Sequence, residues 1–259
     1  MKKTMAALAG LAVLGTAVVG LSSCNYVGVR ADAPKDYDFK DFTRVNVSSA
    51  FHAEIKYGDA YDITVIAPQV EHVRVEKNGD TLRVYRDASL WHGPFGGESK
   101  VEITLPDLTS VELSGASHGT VSEFYQASDF EVRISGASHL ELEDTAVGDF
   151  TADVSGASRL NGRVESDGYT GLVISGASRV DLNGSASAVK VYASGASRAA
   201  LIDYTVENAD IILAGASHGD VNLTGRLDAN ISGASRLNYR GTPELGTIQT
   251  SGSSTIGRA

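Results

Sequence analysis

The sequence predicts an all-β solenoid, in which coils of about twenty residues stack on one another. The main observation is a tetrapeptide, Ser-Gly-Ala-Ser or a close variant, that occurs eight times from Ser114 onward. Its glycines lie 18 to 21 residues apart, and such a short period indicates one unit of a stacked array per repeat, not a separate domain. The motif glycines are Gly115, Gly136, Gly156, Gly176, Gly195, Gly215, Gly233 and Gly252.

Each repeat has the pattern of a strand, a bend and a second strand. Apolar residues alternate before the motif, as at Val132 and Ile134, and again after it, as at Leu140 and Leu142. Period-two alternation is typical of half-buried strands, and glycine lets the bend adopt a positive φ. One coil cannot bury its own apolar face, so we expect coils about 4.8 Å apart to share a core.

The fourth motif position is serine in every copy, from Ser117 to Ser254. Because identical positions fall above one another in a stack, we interpret this row as a ladder of hydroxyls that hydrogen-bond to the backbone at the bends. A row of hydroxyls that faces a ligand is the alternative.

The β-pattern begins upstream of the first tetrapeptide. Residues 45–55 have the same spacing, with Ser49 in the position of the glycine. Lys77-Asn78-Gly79-Asp80 is a turn signal between two later alternating segments. We therefore predict one all-β unit over residues 40–258, with an irregular N-terminal portion. Its alternating segments before the first tetrapeptide are residues 63–66, 73–76, 82–85 and 101–105.

The first residues have the pattern of a lipoprotein signal. Two lysines precede an apolar stretch that ends in Leu21-Ser22-Ser23-Cys24, which resembles a bacterial lipobox. We predict a signal peptide over residues 1–23, a lipid on Cys24 that holds the chain to a membrane, and a tether over residues 24–39. An ordinary cleaved signal is the alternative. Asn25, which follows the cysteine in place of an aspartate, favours the outer membrane of a Gram-negative cell envelope.

The chain resembles the auto-transporter adhesin family that carries a head-GIN domain. The resemblance rests on residues 42–51, on residues 101–108 and on the repeats from Val111 onward. It implies a right-handed parallel β-helix and an adhesin-like role, and it supplies no catalytic mechanism. The formal net charge of −10 disfavours nucleic acid as a partner.

The residue after each motif is basic in seven of eight copies. Arg159, Arg179 and Arg198 follow consecutive motifs, and they form a candidate site for an anionic polymer or glycan. The alternative is a surface that neutralises itself through acids two residues further on, such as Asp181. A metal site at the histidines lacks a recurring third ligand, so we predict neither a metal nor a cofactor.

A second candidate surface lies two positions before the motif, where outward residues are mostly polar. Three consecutive coils have Val173, Tyr192 and Ile212 there instead. Stacked, these side chains would form an apolar stripe that contacts another protein or a second copy of the chain. Cover by a loop of the same chain is the alternative.

These features predict a lipid-anchored, non-enzymatic binding protein of the cell envelope, with a glycan or a protein as its ligand. A carbohydrate-active enzyme on a β-helix is the first alternative, and a purely structural envelope protein is the second. Gly-x-Ser-x-Gly matches at Ser117 and Ser217 are attributed to the repeat, because no helix follows them. The sequence leaves open the role of residues 91–97, which contain the single tryptophan.

Overall fold

The computed structural model describes residues 33–87 and 98–259, which consist mainly of β-strands. A single 3₁₀ turn over Val70–His72 is the helical element of this part of the chain. The strands are β1 (Lys35–Asp36), β2 (Arg44–Val47), β3 (His52–Tyr57), β4 (Asp62–Ile66), β5 (Val73–Asn78), β6 (Thr81–Arg86), β7 (Lys100–Leu105), β8 (Ser110–Leu113), β9 (His118–Ser122), β10 (Phe130–Ile134), β11 (His139–Val147), β12 (Phe150–Val154), β13 (Arg159–Ser166), β14 (Tyr169–Ile174), β15 (Arg179–Ala193), β16 (Arg198–Leu213), β17 (His218–Leu223), β18 (Arg226–Ile231), β19 (Arg236–Arg240), β20 (Glu244–Thr250) and β21 (Thr255–Arg258).

The strands form two parallel stacks, which confirms the predicted solenoid with coils of about twenty residues. The first stack contains the strands that precede each bend, and the second stack contains those that follow it. Strands β15 and β16 are long enough to belong to both. The first stack runs β6, β2, β8, β10, β12, β14, β15, β16, β18, β20. The second runs β7, β3, β9, β11, β13, β15, β16, β17, β19, β21.

The N-terminal portion departs from the regular stack. Strands β6 and β7 lie beneath β2 and β3, so they form a coil that carries no tetrapeptide. Strands β4 and β5 then pair antiparallel with β7 and β6, and β1 pairs with β4. These antiparallel strands cover the sheet edge at this end. The turn predicted at Gly79 joins β5 to β6, as expected.

Part of the predicted tether belongs to the folded unit. Strand β1 lies within residues 24–39, and the N–H of Tyr37 donates to the carbonyl of Ile63 at 2.9 Å. Tyr37 and Phe39 pack against the core. The sequence shows no strand signal here because a two-residue strand is too short for alternation to be visible.

The bends explain why glycine is required there. Gly176 has a φ of 75°, and a Cβ added to it would collide with the carbonyl oxygen of Gly156 in the preceding coil. That oxygen accepts a hydrogen bond from the N–H of Ala177 at 2.8 Å. The same bond recurs from coil to coil, as a column that runs from Gly136 to Ser253. The motif glycines therefore allow close backbone approach as well as a positive φ.

The motif serines form the predicted hydroxyl ladder. The hydroxyl of Ser117 donates to the carbonyl of Ser114 at 2.8 Å, and the N–H of Ser117 donates to the hydroxyl of Ser138 at 3.2 Å. The next coil repeats the contact between Ser138 and Ser158 at 3.3 Å. Ser117 and Ser217 are buried in this ladder, so neither is placed as the exposed nucleophile of a hydrolase.

A polar pair lies inside the apolar core. The side chain of Tyr204 is fully buried, and its hydroxyl lies 2.8 Å from that of Thr170, which is buried as well. Burial raises the pKa of Tyr204 to about 12. A hydroxyl that is satisfied in this way can remain in the core without a large desolvation penalty.

Candidate functional site

A continuous row of basic side chains runs along the second stack, and we call it the basic row. Each member pairs in register with the member on the neighbouring strand. The row contains Lys100, His52, His118, His139, Arg159, Arg179, Arg198, His218 and Arg236. The structure thus places the three predicted arginines side by side, and it adds Lys100 and His52 at the N-terminal end.

A second row, two residues further along each strand, carries carboxylates, and we call it the acidic row. Its acids are Glu102, Glu54, Glu141, Asp181 and Asp220. From Glu54 onward, acids occur on every second coil, and the intervening positions hold uncharged residues. These uncharged residues are Thr120, Asn161, Ala200 and Asn238.

Two of the three predicted arginines already have acidic partners. The guanidinium of Arg179 lies 2.7 Å from the carboxylate of Asp181, and that of Arg198 lies 2.7 Å from Asp220. Arg159 differs, because Asn161 occupies the acidic position on its own strand. Among the described residues, no carboxylate lies within ion-pair distance of Arg159. It is therefore the most available cation of the three.

The environment of the two rows shifts several pKa values. Burial alone would raise the pKa of Asp220, but hydrogen bonds from Asn238 and His218, together with the charge of Arg198, hold it below its ordinary value. Burial lowers the pKa of His139, and the stacked ring of His118, 5.7 Å away, lowers it further. His139 therefore resists protonation, and Asp220 stays ionised.

The predicted apolar stripe is present on the first stack. Val173, Tyr192 and Ile212 occupy the same register position on neighbouring strands. Val173 and Tyr192 are each 45% exposed, and Ile212 is half-buried. No loop of the described chain covers the first two residues, which leaves contact with another molecule as the hypothesis to test.

The stripe borders a shallow cleft of about 400 Å³, which sequence analysis missed. Tyr169 forms the opposite wall and is 37% exposed. Burial raises the pKa of the Tyr169 hydroxyl above its ordinary value. The cleft was not predictable from the motif because Tyr169 lies six residues before it, where coil length varies.

Two features predicted from the sequence lie in parts of the chain that the structure does not describe. Cys24 and residues 91–97 lie beyond the described residues. In the described ranges, no group of three histidine, cysteine or acidic side chains is arranged to hold a metal ion. The same ranges contain no helix with the length and apolar character needed to cross a membrane.

The stacked coils place this chain in the class of β-solenoid repeat proteins. Its candidate binding surfaces, the basic row and the apolar stripe, lie along the outer faces of the two stacks. The chain belongs to the family described as "Putative auto-transporter adhesin, head GIN domain", whose model matches residues 41–243. This match confirms the resemblance found in the sequence.

Three solved structures have the same fold at low sequence identity. A "putative lipid binding protein" from Parabacteroides distasonis ATCC 8503 is 18% identical with a TM-score of 0.79, over 89% of this chain and 97% of that one. A "putative adhesin" from the same organism is 16% identical with a TM-score of 0.79, over 88% and 96%. A "putative adhesin" from Parabacteroides merdae ATCC 43184 is 13% identical with a TM-score of 0.77, over 89% and 96%. None of the curated proteins matches the chain.

Proposed function

We propose that this chain is a non-enzymatic, adhesin-like binding protein, held at the cell envelope by a lipid on Cys24. Membership of an adhesin family supports the envelope location and the binding role. The lipobox-like sequence before Cys24 supports the anchor, and Asn25 favours the outer membrane. The rigid stack would then present its long faces away from the membrane.

The basic row is the observation that carries the proposal. It places basic side chains on nine neighbouring strands, about 4.8 Å apart, so a linear anionic polymer that lies along the solenoid axis could meet several of them. Arg159 is available for direct contact, and an anionic ligand would compete with Asp181 and Asp220 for Arg179 and Arg198. The ligand class we propose is therefore an acidic polysaccharide.

The fixed charges of the two rows balance one another. Lys100 and four arginines face five carboxylates, so the rows are balanced when the histidines are neutral. A polyanion therefore gains affinity only where it displaces a carboxylate or meets a cation without an acidic partner, such as Arg159.

The test uses the purified mature protein with acidic polysaccharides at low and physiological salt. We expect binding that weakens as salt increases, because the contacts join opposite charges. Analysis of the polysaccharide after incubation separates a binding protein from the alternative of a carbohydrate-active enzyme, since only an enzyme shortens the chain. Absence of salt-sensitive binding would reject the polyanion ligand.

A further inference from the structure

The shallow cleft beside the apolar stripe contains Tyr169 and Tyr192, and we call it the tyrosine cleft. One glycine, Gly171, determines where the ring of Tyr169 lies. A Cβ added to Gly171 would lie 2.9 Å from Cε1 and 3.0 Å from the hydroxyl oxygen of Tyr169. The ring of Tyr169 therefore lies along its own strand, over the position where a side chain at residue 171 would stand. Because Gly171 has no side chain, the ring of Tyr169 can occupy this position on the surface.

Tyr192 forms the other aromatic wall. It lies on the neighbouring strand, beside Val173. On that strand the residue beside Tyr169 is Ala188, which precedes Tyr192 by four residues. Four residues of strand span about 13 Å, and the ring of Tyr169 leans into this interval over Gly171. The two tyrosines are 37% and 45% exposed, so a ligand can reach both rings.

Charged groups of both signs surround these rings. Arg133, Asp153 and Lys190 line the cleft, and the ammonium group of Lys190 lies 3.1 Å from the carboxylate of Asp210. Arg133 is itself paired with Glu131 at 2.9 Å. The rim therefore offers hydrogen-bond donors and acceptors side by side, with little net charge.

We propose that the tyrosine cleft binds a neutral carbohydrate chain, with sugar rings stacked on Tyr169 and Tyr192. This proposal builds on the adhesin-like function and names a second ligand class on a different face. The C–H face of a sugar ring is apolar and packs against an aromatic ring, while its hydroxyls take up paired donors and acceptors. Asp153, Arg133 and the Lys190–Asp210 pair supply such groups at the edge of the cleft.

The chemistry of the rim argues against two other occupants. A fatty acyl chain would take water away from the charged groups around the rings and offer them no hydrogen bonds in return, which is costly. A polyanion would meet Asp153 and Asp210 as well as the cations, so the cleft gives it no net attraction. The neutral carbohydrate satisfies both the aromatic and the polar groups.

The test is a titration of the mature protein with a panel of neutral oligosaccharides. We expect Tyr192→Ala and Tyr169→Ala each to weaken binding by about five- to tenfold, which is the scale of a lost aromatic contact. Tyr169→Phe keeps the ring and should retain most of the affinity. Tyr125→Ala is the matched control, because Tyr125 is 68% exposed and does not line the cleft.

Gly171→Thr provides a second, independent variant. The backbone at Gly171 lies outside the left-handed region and threonine suits a strand, so the fold should be retained while the ring of Tyr169 is displaced. We expect an unchanged melting curve and the same loss of binding as Tyr169→Ala. Oligosaccharide binding that survives both Gly171→Thr and Tyr192→Ala would overturn the proposal.

Two further measurements distinguish this proposal from the proposed polyanion site. Binding of neutral oligosaccharide should be insensitive to salt and to replacement of Arg159, Arg179 and Arg198. Absence of any neutral oligosaccharide binding overturns the carbohydrate cleft, even if acidic polysaccharides bind to the basic row. Binding of fatty-acid vesicles that Tyr192→Ala abolishes, with no binding of oligosaccharide, would assign the cleft to lipid and also overturn the proposal.

Discussion

The guanidinium of Arg198 lies 2.7 Å from the carboxylate of Asp220, which belongs to the next coil. The same carboxylate also lies 3.0 Å from the ring of His218 on its own strand. One acid therefore serves basic residues of two coils. The arrangement suits an acidic row that supplies a carboxylate on every second coil, and it limits the repulsion between stacked cations.

Replacement of Arg159, Arg179 and Arg198 by glutamine tests the proposed polyanion site. The triple variant keeps the side-chain stems and removes three charges from the basic row, so it should fold and lose salt-sensitive binding of acidic polysaccharides. A control that replaces Arg74, Arg83 and Arg226 by glutamine removes the same charge outside the row. Equal affinity of the two triple variants would leave the row as a surface that only neutralises itself.

Asp220→Asn should destabilise the protein by about 1 kcal/mol at pH 7, because it removes a partly buried, charged hydrogen-bond acceptor. The folded-state pKa of Asp220 lies below its unfolded value of 3.8. Its contribution to stability is therefore present above about pH 4 and is lost as the pH falls further. Chemical denaturation of both proteins at pH 7 and pH 3 measures this, and a difference that does not shrink in acid would contradict it.

Two glycine-to-alanine variants separate backbone strain from steric collision. Gly79 has a φ of 61° with no atom near an added Cβ, so Gly79→Ala should cost only about 1 kcal/mol of strain. Gly176→Ala adds a collision with the carbonyl of Gly156, and we expect a loss of about 3 kcal/mol or more. Equal melting curves for the two variants would show that neighbouring coils can move apart at little cost.

Tyr204→Phe removes the hydroxyl that pairs with Thr170 inside the core. The variant should lose about 1–2 kcal/mol at pH 7, because the hydroxyl of Thr170 is left buried without a partner. The folded-state pKa of Tyr204 is raised from 10.0 to about 12, so the native protein should lose stability between these pH values as the unfolded chain ionises. Unfolding curves from pH 8 to pH 12 should show a smaller decline for Tyr204→Phe than for the native protein.

Cys24→Ala tests the proposed anchor directly. The native protein should fractionate with membranes and incorporate a labelled fatty acid, and the variant should do neither, because the thiol is the attachment point for the lipid. A Ser23→Ala variant, which keeps the thiol, serves as the control. Membrane association and labelling of Cys24→Ala at native levels would reject the anchor.

The stacked coils could be predicted because the tetrapeptide marks one bend per coil and fixes the register around it. Residues close to the motif, such as Arg159 and Val173, therefore lie where alternation placed them. The lowest coil could not be predicted in the same way. Strands β6 and β7 carry no tetrapeptide, so nothing in the local pattern shows that Lys100 continues the basic row.

Positions far from the motif were also difficult to predict, because the period varies between 18 and 21 residues. The register of Tyr169 depends on how each coil accommodates its extra or missing residues. The inward direction of Tyr204 depends on a register shift between β16 and β17, which falls between Leu201 and Thr205. Such irregularities are set by packing across the whole coil and are not visible in a local pattern.

The column of hydrogen bonds at the bends has a direction. In each of these bonds the later coil donates its N–H and the earlier coil offers its carbonyl, as between Ala177 and Gly156. Peptide dipoles aligned in this way add along the axis, as they do in an α-helix. The negative pole then lies toward the coil of Gly252. A polyanion that lies along the solenoid therefore meets a potential that changes along the axis, and its negative charges are held more strongly toward the coil of Gly136 than toward the coil of Gly252.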